Sequence, residues 1–327
     1  MKLKVLVTGG SGFVGSHLIE KLLEKGFEVF CTLRKSSNIK WLNNLNINKY
    51  IVNWDDVSII EKIVSEVDYI VHCAGVTKAI TKNDYYSGNV TPTVNLLTAA
   101  KKNFNLKRFI FVSTQASSGP SFNSTPITED DSCNPVSDYG KSKLEAEKEV
   151  LKYKDDFPVT ILKPCSIYGP RDHEFYPLFK LIKQHLIVMI GDGTKKINML
   201  YVSDFVEAIC KTLTIKHPSG SVFFVTDGEI YDWKTIYHTA KEVYKKKVIT
   251  LKLPLLVPKI LGKFNDQLSR FTKKPYLLNS QKINEMIPDY WLCDSSKIRN
   301  TIGFNPNSKL IDGFNKTLNW YQKEKWL

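Results

Sequence analysis

The sequence predicts an α/β chain built on a doubly wound parallel sheet, with a smaller region at its C-terminal end. Three observations predict it. Short apolar runs alternate with helical patterns through the first half, a glycine-rich turn joins the first run to the first helix, and prolines break up the second half.

The first run, Val5-Leu6-Val7, has no polar interruption, as a strand buried on both faces does. Gly9, Gly12 and Gly15 follow at three-residue spacing. Val14, Leu18, Ile19, Leu22 and Leu23 then recur on one face of a helix. Further strands are expected over Val29–Leu33, Lys49–Val52, Tyr69–Cys73, Arg108–Ser113 and Val159–Pro164. Helices are expected over Ser16–Lys25, Val57–Ser65, Thr91–Lys102 and Tyr139–Tyr153. Strands that alternate with helices pair in parallel, because each connection must cross back over the sheet. Beyond Gly169 the pattern is interrupted by Pro170, Pro177, Pro218, Pro254, Pro258, Pro275, Pro288 and Pro306. Strand-like Ile197–Val202 and Ser221–Val225 and a helix over Asp204–Thr212 remain. Residues 1–169 are expected to form the main domain, and 170–327 a smaller region partly interleaved with its sheet.

At 43% hydrophobic and 24% charged residues, the 327-residue chain has an ordinary globular composition. No apolar run reaches the roughly 18 residues that span a bilayer, so no integral membrane segment is expected. The six cysteines are scattered, with neither C-x-x-C nor metal-ligand spacing, and read as reduced thiols of a cytoplasmic protein. The net charge of +13 is spread along the chain and its longest lysine run is Lys245-Lys246-Lys247, so nucleic-acid binding is not expected. Weak attraction to an anionic substrate or membrane surface stays open. The apolar stretch Leu251 to Leu261, continued by Phe264, Leu268 and Phe271, is expected to pack within the C-terminal region. An apolar-substrate cap or a peripheral membrane contact are its alternatives.

The chemistry begins at the glycine turn. Strand, turn and helix in that order aim backbone N–H groups at an anion, and the missing side chains let it approach. A nucleotide cofactor is expected there, although one residue more than in G-x-G-x-x-G separates the first two glycines. Ligands of such sheets lie beyond the C-terminal ends of the strands. Tyr139 and Lys143 stand four residues apart at the start of a helix, on one face. A phenol has a reference pKa of about 10. A nearby ammonium favours the phenolate, which suits the pair to moving a proton at a hydroxyl. Thr114, just past the strand ending at Ser113, can hold a carbonyl oxygen toward Tyr139; Ser113 is the alternative carrier of that role.

These residues occur with His72-Cys73-Ala74-Gly75, Asn89-Val90, Pro164-x-x-Ile167-Tyr168-Gly169-Pro170-Arg171, Tyr201-Val202-Ser203-Asp204 and Ser296-Lys297-Ile298-Arg299. Together, over nearly the whole length, they resemble the extended short-chain dehydrogenases/reductases grouped as NAD-dependent epimerases/dehydratases. The resemblance implies a Rossmann dinucleotide-binding domain followed by a substrate-binding region, and a triad of Thr114, Tyr139 and Lys143. It implies that Gly9, Ser11, Gly12, Phe13, Val14 and Gly15 hold the pyrophosphate and that Lys143 bonds the nicotinamide ribose. Asn53 and Trp54 would lie near the adenine, and Ala74, Gly75, Val76, Asn89, Val112, Pro164 and Ile167 would line the cofactor. Thr77, Lys78, Gln115, Ser166, Tyr168, Arg171 and Met199 are placed near the reacting end, toward the substrate. A homodimer through Thr91–Lys102 and Tyr139–Tyr153 is also implied.

NAD-binding members of this family carry an acid after the second strand. Here the segment is Leu33-Arg34-Lys35-Ser36-Ser37, and Arg34 with Lys35 stands where a 2′-phosphate would lie. NADP(H) is therefore expected, with NAD as the alternative. The segment resembles the branch of dihydroflavonol reductases and 3β-hydroxysteroid dehydrogenases. Sugar-nucleotide epimerases often have an arginine where this chain has Ile197, and 4,6-dehydratases have Asp-Glu where it has Gln115-Ala116. Hydride transfer between nicotinamide and a carbonyl/hydroxyl carbon of a small organic substrate is the first expectation. A nucleotide-sugar epimerase or dehydratase is the alternative, and a non-catalytic, redox-sensing dinucleotide-binding protein a minor one.

Overall fold

A computed structural model describes residues 2–327. The first half runs β1 (Lys4–Thr8), α1 (Phe13–Glu24), β2 (Glu28–Leu33), β3 (Asn48–Ile51), α2 (Val57–Val64), β4 (Tyr69–His72), α3 (Lys82–Asn89), α4 (Thr91–Ala100), β5 (Arg108–Val112), α5 (Asp138–Leu151) and β6 (Val159–Pro164). The second continues with β7 (Ser166–Tyr168), α6 (Tyr176–Lys183), β8 (Leu186–Ile190), β9 (Lys196–Ile197), β10 (Met199–Tyr201), α7 (Val202–Thr214), β11 (Ser221–Val225), β12 (Tyr231–Asp232) and α8 (Trp233–Tyr244). It closes with β13 (Ile249–Leu253), α9 (Leu256–Thr272), α10 (Ser280–Met286), β14 (Tyr290–Trp291), α11 (Ser296–Ile302) and α12 (Leu310–Lys323).

Seven strands form one parallel sheet in the order β11-β6-β5-β4-β1-β2-β3. The uninterrupted apolar runs follow from this position, because both faces are covered. Val5 and Val7 of β1 enter one core with α1 and α7, while Leu6 enters the other with α2, α4 and α5. The chain winds outward from β1 through β2 to β3, then returns to β4 and winds the other way. That reversal opens a crevice beyond the C-terminal ends of β1 and β4, where ligands of such sheets bind.

β11 joins the sheet beside β6, and α7 packs on α1, so the second half of the chain contributes to both the sheet and its covering layer. The remaining elements form small sheets (β7 with β10, β9 with β12 and β14, β8 with β13) around which α6, α8 and α12 pack.

Three local expectations are corrected. The expected strand Ile197–Val202 is divided at Asn198. Its amide accepts from the Cys293 N–H at 2.8 Å and donates to the Glu229 carbonyl at 2.6 Å, so it serves neighbouring loops. Helix α3 was not anticipated: its Lys-Asn-Asp-Tyr-Tyr-Ser-Gly-Asn sequence lacks an apolar stripe, and it is started by a capping box between Thr81 and Asp84. The stretch Leu251–Leu261 is cut at Pro254 into β13 and α9. Contrary to expectation, Leu256, Ile260, Leu261, Phe264 and Phe271 of α9 are exposed rather than packed.

Candidate active site

The glycine turn is built as a phosphate cradle requires. Gly9 has φ +70°, and a Cβ on it would lie 2.7 Å from the Ala74 nitrogen. A Cβ on Gly15 would strike the Gly9 carbonyl oxygen. Any larger residue at either position forces β1, α1 and the loop after β4 apart. Gly12 caps α1 without a side-chain bond, and the first turn of α1 has no acid. The N–H groups there are left for an anion, in the positive end of the helix dipole. A dinucleotide pyrophosphate fits this site, with Ser11, Phe13 and Val14 around it.

The loop after β4 is held by a chain of buried groups. The Thr8 hydroxyl accepts from the Ala74 N–H at 3.1 Å and bonds His72 Nδ1 at 2.6 Å. His72 Nε2 lies 3.0 Å from the Thr93 hydroxyl, which donates to the Asn89 carbonyl at 2.6 Å. Thr93 spends its proton on Asn89, so His72 Nε2–H must be the donor; in a neutral ring Nδ1 then accepts from the Thr8 hydroxyl. Burial lowers the His72 pKa to about 3, consistent with that tautomer. Asn89, expected to line the cofactor, is 2% exposed and acts as a brace. Its carboxamide accepts from Val76 N–H at 2.7 Å and donates to the Val76 carbonyl at 3.1 Å and Ser142 hydroxyl at 2.9 Å, fixing the loop against α5.

Helix α5 begins with Ser137, whose hydroxyl accepts from the Gly140 N–H at 3.1 Å. Gly140 faces the Ala116 carbonyl with no room for a Cβ, so α5 closes onto the segment after β5 that carries Thr114. The Ser113 hydroxyl is buried and donates to Glu147, which removes it as the alternative to the half-buried Thr114. Lys143 is 4% exposed, donates to the Val112 carbonyl at 2.8 Å and lies 4.0 Å over the Phe111 ring. A Cβ built on Gly75 would sit 3.9 Å from Lys143 Nζ, so the β4 loop faces Lys143 directly. Burial lowers the Lys143 pKa to about 8, against the charge of Glu147, which raises it.

Tyr139 departs from expectation. Burial and then the Glu285 charge raise its pKa well above the usual phenol value, and the neighbouring Thr114 hydroxyl only partly offsets them. Desolvation of the phenolate outweighs any help from Lys143, whose ammonium is turned to Val112. The phenol is therefore held in its protonated form.

Beneath these groups lies a buried ion pair the sequence did not announce. Lys163 Nζ is 2.8 Å from Glu147, with side chains 6% and 5% exposed. Glu147 also accepts from Ser113 and Ser117, and Lys163 donates to the Ser118 hydroxyl at 2.9 Å. At the rim, Glu285 of α10 accepts from Ser137 at 2.8 Å, and Gln281 accepts from the Asp138 N–H at 2.7 Å. Both lie over 140 positions away in sequence, with no local signal to find them.

The predicted substrate residues separate. Thr77 is exposed and Ser166 half-buried near the crevice. Gln115 is 4% exposed and its Nε2 has no hydrogen-bond partner. Lys78 pairs with Glu174 at 2.7 Å. Tyr168 and Met199, 1% and 0% exposed, belong to the core: the Tyr168 ring packs edge-on to Phe314 at 5.1 Å and has no surface for a substrate. Arg171 turns away, pairing with Glu20 of α1 at 2.6 Å and stacking on Trp41 at 4.7 Å. Among the expected cofactor residues, Val112 offers its carbonyl to Lys143, Pro164 is buried at the end of β6, and Ile167 is half-buried in β7. Asn53 is exposed and bonds the Asp55 N–H at 3.3 Å; Trp54 packs edge-on to His72 at 6.0 Å. Arg34 and Lys35 are exposed at the end of β2, and neither forms an ion pair among the described residues. No group of three metal-ligating side chains occurs among the described residues, and none of their helices is long and apolar enough to cross a membrane.

Known proteins extend these findings. The chain is 29% identical to an uncharacterised UDP-glucose epimerase, YtcB, of Bacillus subtilis, covering 95% of each protein. It is 26% identical to a ceramide reductase of Caulobacter vibrioides, over 99% of this chain and 96% of that one. A solved UDP-glucose 4-epimerase of Thermotoga maritima shares the fold with a TM-score of 0.81 at 22% identity, over 99% of this chain and all (100%) of that one. A model of the NAD dependent epimerase/dehydratase family matches residues 5–225, more than half of the chain. With the doubly wound sheet, the glycine cradle and the Tyr139/Lys143 helix in place, the chain belongs to the NAD-dependent epimerase/dehydratase family.

Proposed function

We propose that this enzyme transfers a hydride between NADP(H) and a carbonyl/hydroxyl carbon of a small organic substrate, with Tyr139 as the acid and base. The observation that carries the reading is the Tyr139 phenol beside the Thr114 hydroxyl, with Lys143 one helical turn further on and its ammonium facing the loop after β4. When bound, the dihydronicotinamide supplies the hydride. Thr114 holds the carbonyl oxygen, Tyr139 delivers a proton to that oxygen as it gains charge, and Lys143 favours the resulting phenolate. The product is the alcohol, and in the reverse direction Tyr139 takes the proton back.

The phosphorylated form of the dinucleotide is favoured by Arg34 and Lys35, whose side chains are exposed with no carboxylate among the described residues to hold them. A substrate without a diphosphate is favoured by the rim cations. Lys78 is engaged by Glu174, Lys282 by Glu174 and Glu285 at 3.6 and 3.4 Å, and Lys195 by Asp289 at 3.3 Å. Ile197 is buried in place of the epimerase arginine. The unpartnered amide of Gln115, a neutral donor beside Thr114, suits a hydroxyl or carbonyl and offers no acid for eliminating water.

A second reading, epimerisation of a nucleotide sugar, is favoured by relatives such as the UDP-glucose epimerase of Vibrio cholerae, 26% identical over 97% of this chain. The proposed contact face for a homodimer is the outer side of α4 and α5. The experiment is turnover of NADPH and NADH with panels of ketones, alcohols and UDP-sugars, using wild type and Tyr139→Phe. Stoichiometric NADPH consumption that Tyr139→Phe slows by about 10³-fold or more supports the first reading. Interconversion of a UDP-sugar with no net change in nucleotide replaces it with the second. Full activity in the variant overturns both.

A further inference from the structure

Helix α9 is inside out for a helix of a water-soluble protein. Its protein-facing side carries Pro258, Gly262 and Ser269, which are buried, with Asn265 and Asp266 beside them. A Cβ on Gly262 would lie 3.0 Å from Ile283 of α10. Asn265 donates to the Leu278 carbonyl at 2.7 Å, and Asp266 accepts from the Ser280 N–H at 3.3 Å. The helix is therefore anchored by small and polar groups. Its apolar stripe, Leu256, Ile260, Phe264 and Phe271, points outward and is 64%, 59%, 62% and 84% exposed. At 100° per residue these four occupy one sector of roughly 80°. Lys259, Lys263 and Arg270 occupy the adjoining sector, also exposed. A packed helix has the opposite arrangement, and an exposed patch of this kind marks an interaction surface.

Charge decides what covers it. Between Ile249 and Lys274 there are six cations, Lys252, Lys259, Lys263, Arg270, Lys273 and Lys274, and the single carboxylate, Asp266, is turned inward. A second copy docked on the same face would oppose cation to cation. A flat anionic surface with an apolar interior accepts both sectors at once: lysines at the phosphate level, Leu, Ile and Phe in the acyl boundary. From Leu256 to Phe271 the stripe is about 22 Å long at 1.5 Å per residue, enough for a helix lying in the plane of a bilayer.

We propose that α9 docks the enzyme reversibly on an anionic membrane surface, its Leu256–Phe271 stripe inserted and its cations on the lipid phosphates. The face lies close to the chemistry. α9 packs on α10, and Gln281 and Glu285 of α10 hold the first turn of the helix that carries Tyr139.

The test is flotation of the full-length protein with phosphatidylcholine vesicles that contain phosphatidylserine, and with pure phosphatidylcholine vesicles. Binding to the anionic vesicles alone is expected, falling as salt is raised. The triple variant Lys259→Gln/Lys263→Gln/Arg270→Gln should bind roughly a hundred-fold more weakly, at about five-fold per cation. Phe264→Ser/Phe271→Ser should abolish binding. All five side chains are exposed, so both variants should keep the wild-type circular dichroism and thermal midpoint. Equal or no binding to the two vesicle types overturns the proposal, as does binding that survives both variants. A dimer in sedimentation that Phe264→Ser/Phe271→Ser converts to monomer, with vesicles ignored, assigns the face to a second copy and also overturns it.

Discussion

Replacing Lys163 by methionine tests the buried pair beneath the segment that carries Thr114. Lys163 Nζ and Glu147 are 2.8 Å apart, and both side chains are almost fully enclosed. At an effective dielectric of about 20 their attraction is about 6 kcal/mol. Desolvation offsets much of that when both are present. Removing the lysine alone leaves the Glu147 charge with only the hydroxyls of Ser113 and Ser117, and the cost of such a lone buried charge is about 3–5 kcal/mol. Lys163→Met should therefore lower the unfolding free energy in urea by that amount. Lys163→Met/Glu147→Gln keeps an acceptor for both serines and removes the charge, so it should recover at least about 2 kcal/mol, a coupling typical of contacting groups. The damage should also reach catalysis, because the Ser117 hydroxyl lies between Glu147 and the Thr114 carbonyl, 2.7 Å from the latter, and shares its one proton between them. A single-variant cost under about 1 kcal/mol, or strict additivity in the double variant, would show that the pair is not a charged, desolvated unit.

Three further outcomes follow from the same geometry. Lys143 has a folded pKa of about 8 against a reference of 10.5, so the unfolded chain holds its proton longer and stability should rise with pH between those values by about 3 kcal/mol. Lys143→Met should remove that rise and stabilise the nucleotide-free protein at neutral pH while abolishing turnover; a pH-stability curve unchanged by the substitution contradicts the buried ammonium. Arg34→Ser should weaken NADP binding about 10- to 100-fold, the worth of a charge-assisted bond, and leave NAD affinity unchanged; calorimetric titration showing equal losses for both would remove Arg34 from a 2′-phosphate site. Gly15→Val should eliminate dinucleotide binding, because its side chain would occupy the position of the Gly9 carbonyl, and retained binding by fluorescence quenching would show that the turn can open.

Most of the sheet was legible because its strands are short apolar runs whose alternate residues enter two separate cores, and such runs occur only where both faces are covered. The glycine turn was legible because it is local: eight consecutive residues define the strand end, the turn and the helix start. Tyr139 and Lys143 were legible for the same reason, since one helical turn brings them to one face. Helix α3 was hidden because a capping box, not an apolar stripe, starts it.

What the sequence by itself determined is thus the α/β class, the glycine turn and the helix that sets Tyr139 and Lys143 on one face, all of them properties of short segments. Only the tertiary structure decided which neighbours those segments meet. It excluded Ser113 by giving its hydroxyl to Glu147, moved Tyr168 and Met199 into the core, turned Arg171 to Glu20, and set Glu285 beside Ser137 across 148 residues. It also reversed the expectation for α9. The periodicity of that helix shows an apolar face, but whether such a face is covered depends on what packs against it. Here small residues such as Gly262 let α10 approach from the other side, leaving the stripe to solvent. Periodicity is local and burial is not, and desolvation by distant parts of the chain is also what holds the Tyr139 phenol protonated.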